Sequence, residues 1–390
     1  MSRSKIFITF IALCVVSLLA DMTYEGCRSI LGAYFEVLGA TALIAGLISV
    51  GEFISYVMRG VGGFIAGALR SSKVYWGLIF SGYAINLIAV PLLALAGNWP
   101  LALALVIAER IGKGLRTPAR DVVLAEVTEG MGRGKGFGLH ELMDQVGAVS
   151  GPLVVMVSLK LTGNNYSYTY AILAFPALAA LLMLAVAYRN YPSVRAVETS
   201  RHGGSLGKLF WLFTVSVALL SMGYIHWGLV AYYLKSSSII PDYMVATMYV
   251  VAMLADAAVA YPAGYLYDRI GPKTVVVTPL LAMAVVPTLL LASDVSHIIV
   301  ASILWGIVMG IYETNMRVII ADVATPESRA YAYGLYGLIF GGAWTAGNVI
   351  MGALYELSAT YVITYTLIAE TLALAATAAF VVKFRNRRPQ

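Results

Sequence analysis

Two stretches of the sequence, each following a long apolar segment, repeat one another at a spacing of about half the chain. The same gap separates every residue of the first set from its partner in the second, without an insertion. The first set is Ala125, Glu126, Val127, Arg133, Phe137, Gly138, Leu139 and Gly151, and the second is Ala321, Asp322, Val323, Arg329, Tyr333, Gly334, Leu335 and Gly347. A half-length parallel repeat in an apolar chain predicts two transmembrane helix bundles related by a pseudo-two-fold axis along the membrane normal.

The composition places the chain in a bilayer. Hydrophobic residues make up 60% of the sequence and charged residues only 12%, whereas a soluble domain carries about a quarter charged residues. A helix needs about twenty apolar residues to cross a hydrocarbon core of ~30 Å. Twelve such segments are predicted, at roughly 6–34, 41–69, 74–97, 100–126, 135–160, 166–189, 208–234, 243–268, 273–293, 297–322, 329–357 and 361–383. The predicted fold class is therefore an all-α membrane protein of twelve transmembrane helices in two six-helix bundles.

The bundles are expected at 1–190 and 208–390, joined by a polar cytoplasmic linker at 191–207. With both termini in the cytoplasm, most lysines and arginines fall in inner loops and only Lys160 and Lys235 fall outside, as the positive-inside rule requires. The net charge of +6 is dispersed over many short loops, which argues against a nucleic-acid surface. We expect a multi-pass protein of the cell membrane.

No signal for catalysis or a cofactor is present in the sequence. Both cysteines, Cys14 and Cys27, lie in the first span, where a disulfide is geometrically excluded and a metal site is not expected. The sequence contains no phosphate-binding G-x-x-x-x-G-K-[ST] loop. We therefore expect no cofactor, no metal and no enzymatic activity. The expected partners are a small-molecule substrate, protons and membrane lipid, and the expected state is a monomer.

Ionisable residues inside the predicted spans are the strongest functional signal. Each costs roughly 2.5–3.5 kcal/mol at the centre of a bilayer and so requires a partner, a water-filled cavity or a role. Asp21, Glu25 and Arg28 recur on one face of the first helix, and this face is not expected to contact lipid. A carboxylate whose pKa is raised by burial and lowered by an approaching arginine can take up and release a proton. The predicted proton-coupling residues are Asp21, Glu25, Glu52, Arg110 and Asp144.

A structural explanation competes with this one: in it, the carboxylates of the first two spans serve only to form buried ion pairs with Arg28, Arg59 and Arg110. A structural hydrogen bond between His140 and Asp144 is similarly an alternative to a proton relay. Glu370, on the last span, is expected to be structural or peripheral.

Further polar and aromatic residues of the spans form a predicted substrate cavity. For His226, an ordinary buried histidine is the alternative to a substrate contact. The predicted cavity residues are Tyr24, Arg28, Tyr56, Arg116, His140, Tyr224, His226, Trp227, Asp256, Glu313 and Arg317.

The segment from Gly264 to Lys273 has the pattern G-x-x-x-D-R-x-G-x-K between two apolar spans. This pattern resembles the loop signature of the major facilitator superfamily. In the equivalent loop of the first half, 63–73, the basic residues are kept but the aspartate is missing. The resemblance implies a cytoplasmic gate formed by Arg133, Gly264, Asp268, Arg269, Gly271, Lys273 and Arg329.

Two further motifs agree with this resemblance. Arg110 with Gly114 looks like the basic motif that the superfamily ties to proton transfer, and Gly147-x-x-x-Gly151-Pro152 looks like the first part of a signature of proton-driven exporters. The resemblance implies a proton-coupled secondary transporter that works by alternating access. The leading hypothesis is an exporter, by proton antiport, of amphipathic or cationic compounds. The alternative is a carrier of an organic anion bound by Arg28, Arg110 and Arg116. A membrane-embedded enzyme and a non-transporting sensor are more distant alternatives.

Overall fold

A computed structural model describes residues 3–69, 71–129, 133–194, 206–325 and 328–386. These residues form fifteen α-helices and two short 3-10 turns, and no strand occurs among them. The helices of the first half are α1 (Arg3–Val37), α2 (Ala42–Leu47), α3 (Val50–Leu69), α4 (Ser72–Leu92), α5 (Trp99–Val127), α6 (Arg133–Leu161), α7 (Tyr166–Ile172) and α8 (Ala174–Asn190). The helices of the second half are α9 (Lys208–Gly223), α10 (Trp227–Ser237), α11 (Asp242–Ile270), α12 (Val277–Leu290), α13 (Val295–Val323), α14 (Arg329–Leu357) and α15 (Ala359–Arg385).

The described helices confirm the predicted all-α membrane fold. Ten stretches of the described residues are long and apolar enough to cross a membrane. One of them, Asp242–Leu290, contains both α11 and α12. The 29-residue α5 is not among the ten, because it carries six charged residues between Glu109 and Asp121. With α5 added and α11 separated from α12, the described residues supply the twelve predicted spans.

Contacts between Cα atoms divide the chain into two compact units. The first comprises Met1–Leu31 and Ile54–Thr199, and the second comprises Gly32–Phe53 and Ser200–Gln390. The second unit thus includes the end of α1, all of α2 and the start of α3, which precede the second half of the sequence. The division into bundles at 1–190 and 208–390 stays a prediction.

Polar caps begin five helices at the side predicted to be extracellular. Side-chain oxygens accept hydrogen bonds from backbone N–H groups of the first turn, and so satisfy donors that have no partner within the helix. The capping residues are Thr41, Asn98, Asn165, Asp294 and Ser358. Helix α11 ends at Gly271, whose φ is +65°. Because glycine adopts a positive φ without a steric cost, this turn explains the second glycine of the predicted gate loop.

The two halves use glycines in equivalent ways to bring helices together. A Cβ built on Gly151 in α6 would lie 2.2 Å from the carbonyl oxygen of Met22 in α1. Its repeat partner, Gly347 in α14, would place a Cβ 2.2 Å from the carbonyl oxygen of Met222 in α9. Since no side chain fits at such distances, the repeated glycine is required for close helix packing in each unit.

Candidate functional site

The polar face of α1 is buried within the first unit. Asp21, Tyr24 and Glu25 are each less than 10% exposed. Gly147 of α6 brings the two helices together at this level, because a Cβ built there would lie 2.3 Å from the carbonyl oxygen of Leu18 and 2.9 Å from the Cβ of Asp21. The glycine of the exporter-like motif therefore allows α6 to pack closely against α1, the helix that carries Asp21 and Glu25.

Asp21, Tyr24 and Lys113 form one connected group. The hydroxyl of Tyr24 donates a hydrogen bond to Oδ1 of Asp21. The ammonium group of Lys113, on α5, lies 3.8 Å from the centroid of the Tyr24 ring, a distance at which a cation is attracted to the π-face. Asp144 of α6 interacts electrostatically with Asp21 and lies beside Ser17 of α1. Two carboxyl groups and one ammonium group thus share a small buried region.

Three of the arginines predicted in the first half have local partners. Arg28 pairs with Glu25 on the next turn of α1, with a nitrogen–oxygen distance of 3.1 Å. Arg110 pairs with Glu109 on α5 at 3.0 Å. Arg59 lies 5.2 Å from the centroid of the Tyr56 ring. The pair of Glu25 with Arg28 is thus one that the structural alternative considered, whereas the pair of Arg110 with Glu109 is a different one, since that alternative concerned Asp21, Glu25 and Glu52.

A narrow cleft lies beside these ion pairs. Asn86 of α4 donates a hydrogen bond of 2.6 Å to Oε1 of Glu109, one of the lining residues. The polar part of the lining includes Arg28, Arg110 and Glu109, whereas Glu25, the partner of Arg28, does not line the cleft. Apolar residues of α1, α4 and α5 complete the wall. The lining residues are Tyr24, Cys27, Arg28, Leu31, Ala89, Val90, Leu93, Leu105, Val106, Glu109 and Arg110.

Arg116 is a buried cation of a different kind. Its side chain is 2% exposed, and its guanidinium carbon lies 3.9 Å from the centroid of the Tyr83 ring. Among the described residues its Nε atom has no hydrogen-bond partner, and no carboxylate lies within ion-pair distance of it. A planar guanidinium can stack on an aromatic face in this way, which an ammonium does less well.

His140 and Asp144 occupy adjacent turns of α6. Nδ1 of His140 lies 3.3 Å from Oδ1 of Asp144, and the histidine is 3% exposed. The predicted proximity is therefore present. Among the described residues Nε2 of His140 has no hydrogen-bond partner.

In the second unit, the segment between α9 and α10 is an unwound break held by side chains. Nε1 of Trp344 donates to the carbonyl oxygen of Tyr224 at 2.8 Å, and Nε1 of Trp305 donates to that of Ile225 at 2.8 Å. Asn348 bridges the break, because its Nδ2 donates to Tyr224 and its Oδ1 accepts from the backbone N–H of His226 at 2.6 Å. These bonds replace the helical hydrogen bonds that the break removes.

Aromatic rings surround this break. Tyr224 is stacked on Trp305 with ring centroids 5.6 Å apart and on Trp344 at 6.1 Å. Trp227 contacts Tyr249 at 4.8 Å and Trp305 at 5.2 Å. Tyr224 and Trp227, both predicted cavity residues, therefore belong to one aromatic cluster, and Trp305 lies at its centre.

His226 faces Glu52 across the second unit. Nε2 of His226 lies 4.0 Å from Oε1 of Glu52, and the backbone N–H of Gly228 donates to Nδ1 at 3.0 Å. Because Nδ1 accepts, a neutral imidazole carries its proton on Nε2, the atom that faces the carboxylate. Nearby, Thr345 of α14 donates to the carbonyl oxygen of Ser49 at 3.0 Å.

The remaining predicted cavity residues are dispersed. Asp256 of α11 is buried against Gly310 of α13, where a built Cβ would lie 2.7 Å from its Oδ1. Glu313 is exposed. Arg317 lies in α13, but its side chain is outside the part of the chain that the structure describes.

The predicted gate residues flank the turn between α11 and α12. Asp268 and Lys273 are exposed, and Arg269 lies 4.5 Å from the centroid of the Tyr265 ring. Arg329 donates from Nη2 to the carbonyl oxygen of Ala321 at 3.0 Å, at the end of α13. The residues described show no ion pair at Asp268. The side chain of Arg133 lies outside them, so the latch stays a prediction.

Sequence reasoning omitted two residues that organise these regions. Trp305 and Asn348 hold the helix break. An asparagine inside an apolar span, like a charge, requires a polar partner, so Asn348 could have been found by that signal. The role of Trp305 has no sequence signal apart from its residue type.

Comparison with known proteins identifies relatives along the whole chain. The sequence profile described as Major Facilitator Superfamily matches residues 13–240 and 212–390. An uncharacterized protein of Mycobacterium bovis is 36% identical over 370 residues, covering 92% of this chain and 90% of that protein. An uncharacterized MFS-type transporter of Methanocaldococcus jannaschii is 26% identical over 355 residues, covering 88% of this chain and 87% of its own length.

Solved structures share the fold at low identity. The crystal structure of a POT family transporter in complex with a thioalcohol conjugated peptide has a TM-score of 0.80 and 14% identity, covering 97% of this chain and 96% of that chain. The crystal structure of the nucleoside transporter NupG has a TM-score of 0.72 and 16% identity, covering 97% and 99%. Because both the sequence profile and these folds extend over nearly the entire chain, the protein belongs to the Major Facilitator Superfamily of membrane transporters.

Proposed function

We propose that the protein is a proton-coupled secondary carrier that works by alternating access, with Asp21 as the central proton-binding group. The connected group of Asp21, Tyr24 and Lys113 is the observation that carries this proposal. When Asp21 is ionised, the Tyr24 hydroxyl donates to it and Lys113 supplies a nearby positive charge. When Asp21 is protonated, that hydrogen bond loses its charged acceptor and Lys113 loses its counter-charge. Protonation therefore changes the forces between α1 and α5.

The side chains around this group fit a reversible proton site. Lys113 has a flexible four-carbon side chain that can follow a change of charge, whereas Arg28 and Arg110 are each held by a carboxylate on their own helix. Asp144 and His140 provide a second carboxyl group and an imidazole on α6. Ser17 connects α1 to Asp144. We expect the proton to exchange between Asp21 and Asp144 through this polar region.

The aromatic cluster of the second unit supports an amphipathic or cationic cargo. Aromatic faces attract cations and bury apolar surface, and because Tyr224, Trp305 and Trp344 are buried against one another here, a cargo would meet their faces in a conformation that opens the cluster. Glu52 adds a negative charge near His226. We therefore propose export of amphipathic or cationic compounds in exchange for protons, by a monomer in the cell membrane with both termini in the cytoplasm.

Arg116 favours the second candidate, a carrier of organic anions. It is the buried arginine for which the described residues provide no carboxylate partner, so an anionic group could form a bidentate pair with it. Arg28 and Arg110 favour this candidate less, because an anion would have to displace Glu25 or Glu109. Arg116→Ala would abolish binding of an anion such as benzoate if this candidate is correct. If Arg116 only biases the carboxylates of the first unit, the substitution would shift the pH profile of transport and leave cargo affinity nearly unchanged.

The coupling proposal is tested in proteoliposomes that contain a pH-sensitive dye. Addition of a lipophilic cation such as ethidium to vesicles with an imposed pH gradient should drive proton movement with the wild-type protein. Asp21→Asn mimics the protonated acid and should abolish this movement while leaving ethidium exchange largely intact. Glu129→Gln, at an exposed position of the first unit, is the matched control. Gradient-driven movement at the wild-type rate in Asp21→Asn would refute the role of Asp21, and movement driven by benzoate alone would favour the anion carrier.

A further inference from the structure

Glu370 lies near the middle of α15 and is fully enclosed by the second unit. Its exposed fraction is 0%. The carboxyl group packs against Gly223, the last residue of α9, where a built Cβ would lie 2.6 Å from Oε1 and 2.9 Å from the carboxyl carbon. A glycine is therefore needed to make room for the carboxyl group beside the break between α9 and α10.

The described surroundings supply no positive charge to Glu370. Neither carboxyl oxygen has a hydrogen-bond partner among the described residues. The ionisable groups that interact with it electrostatically are the phenols of Tyr224, next to Gly223, and Tyr365, on α15 itself. Both are neutral acids in the ordinary pH range.

The helices that pack on α15 place no basic residue of the described chain beside Glu370. The sequence of α12 contains no ionisable residue, and the single basic residue of α9 is Lys208, at the end opposite to Gly223. The basic residue of α14 is Arg329, which binds the end of α13, and that of the turn before α12 is Lys273, which is exposed. An ionised Glu370 would be an uncompensated charge at this depth.

A comparable contact in the first unit shows that packing alone does not require an acid here. Gly223 and Glu370 follow Gly26 and Leu173 by 197 residues each, one more than the spacing of 196 in the repeated stretches. In the first unit, a Cβ built on Gly26 would lie 3.3 Å from Cδ2 of Leu173, and Leu173 is fully buried. The second half thus has a carboxyl group against its glycine, where the comparable contact of the first half has a leucine side chain.

We infer that Glu370 is a second proton-binding site, which holds an exchangeable proton as a neutral carboxylic acid in this conformation. A proton is the ligand that neutralises the acid without additional oxygen ligands, whereas a bound metal cation such as sodium would require several. The site lies beside the unwound segment at Tyr224, where a rearrangement of the break would change the access of water to the acid. This inference does not depend on the role proposed for Asp21.

Infrared spectroscopy of the purified protein tests the site directly. Labelling glutamate with ¹³C separates the carbonyl band of a protonated glutamic acid from that of any protonated aspartic acid. At neutral pH the wild-type protein should show a labelled band that is absent from Glu370→Gln and Glu370→Leu and retained in Glu129→Gln. The leucine variant reproduces the arrangement of the first unit and is expected to fold. Transfer to D₂O should shift the band. The inference would be overturned if no labelled band appeared, if Glu370→Gln retained the band, or if the band did not shift in D₂O. Loss of the band when sodium replaces choline in the buffer would also overturn it.

A second measurement uses the linkage between proton binding and folding. If the folded protein holds a proton that the unfolded chain releases, the folded state loses stability as the pH rises. Its folding equilibrium constant should fall by about tenfold per pH unit on account of this one proton. Thermal unfolding between acidic and neutral pH should therefore depend less steeply on pH in Glu370→Gln than in the wild type. Equal pH dependence in the wild type and Glu370→Gln would contradict the inference. Asp21→Asn should keep the pH dependence due to Glu370, so this variant distinguishes a failure of the inference from a failure of the coupling proposal.

Discussion

Nε2 of His226 lies 4.0 Å from Oε1 of Glu52, although the two residues belong to opposite halves of the sequence. The contact lies within the second unit, which includes the segment 32–53. The tautomer of His226 is set by Gly228, whose backbone N–H donates a hydrogen bond to Nδ1. The imidazole therefore presents a donor to the carboxylate, and we expect this contact to help to hold the start of α3 in the second unit.

Removing the charge of Glu52 should loosen this segment. Glu52→Gln keeps the side-chain shape but replaces the carboxylate acceptor, so the contact with His226 is weakened. We expect a cysteine placed at the fully buried Ala45, in a background with Cys14 and Cys27 replaced by alanine, to react several-fold faster with a membrane-impermeant maleimide. Glu36→Gln, on the same segment, is the control. An unchanged labelling rate in Glu52→Gln would show that the contact does not hold the segment.

Asn348 should be critical for the stability of the helix break. Asn348→Leu removes the partners of the His226 N–H and weakens the bonding of the Tyr224 carbonyl group. Each buried polar group left without a partner costs about 1–3 kcal/mol, so the free energy of unfolding should fall by about 2–4 kcal/mol. Denaturant unfolding in detergent measures this loss. Asn190→Leu, at a half-buried position at the end of α8, should have a much smaller effect, and similar losses for the two variants would contradict the bridging role.

The repeated glycine of α6 and α14 should tolerate no side chain. Gly151→Ala would place a methyl group 2.2 Å from the Met22 carbonyl oxygen, and Gly347→Ala would do the same at Met222. Overpacking of this kind costs about 1–3 kcal/mol. Thermal unfolding should show lower midpoints for both variants. Gly138→Ala and Gly334→Ala are matched repeat controls, because a Cβ at either position has no neighbour within 4 Å; equal midpoints for all four would contradict the packing argument.

Asp268 should act at the cytoplasmic gate that the sequence motif implies. If it accepts hydrogen bonds or ion pairs when that side closes, Asp268→Asn should weaken the outward-open state. Maleimide labelling of single cysteines from the cytoplasmic side should then become faster. Glu129→Gln serves as the control for loss of a negative charge on that side. Unchanged accessibility in Asp268→Asn would rule out the latch.

Asp294 should make the start of α13 sensitive to acid. Hydrogen bonds from Ser296 and His297 hold the pKa of this carboxyl well below its usual range. The stabilisation is therefore fully present above the pKa of an unfolded aspartate and is lost as the pH falls through the folded-state pKa. Hydrogen exchange at 296–299, corrected for intrinsic rates, should show less protection in acid. Asp294→Asn keeps a capping oxygen that does not titrate, so its protection should depend less on pH. The same pH dependence in both proteins would contradict this assignment.

The sequence by itself determined the class of the fold. Its apolar segments were long enough to identify the spans, because the bilayer imposes a minimum helix length. The spacing between the two repeats also identified Gly151 and Gly347 as equivalent positions, and both make the close helix contacts expected of small residues. The ion pair of Arg28 with Glu25 followed from helical spacing on α1, since residues three apart share a face.

Only the tertiary structure decided which polar residues meet across helices. Lys113 and Tyr24 are distant in sequence, and their contact depends on how α5 packs against α1. The break after Gly223 is stabilised by Trp305, Trp344 and Asn348, whose hydrogen bonds come from other helices and leave no local pattern in α9. Glu370 was expected to be structural or peripheral, and its complete burial shows that it is not peripheral. Sequence periodicity locates a residue along a helix, but the neighbouring helices determine whether its side chain faces lipid, a cavity or the protein core.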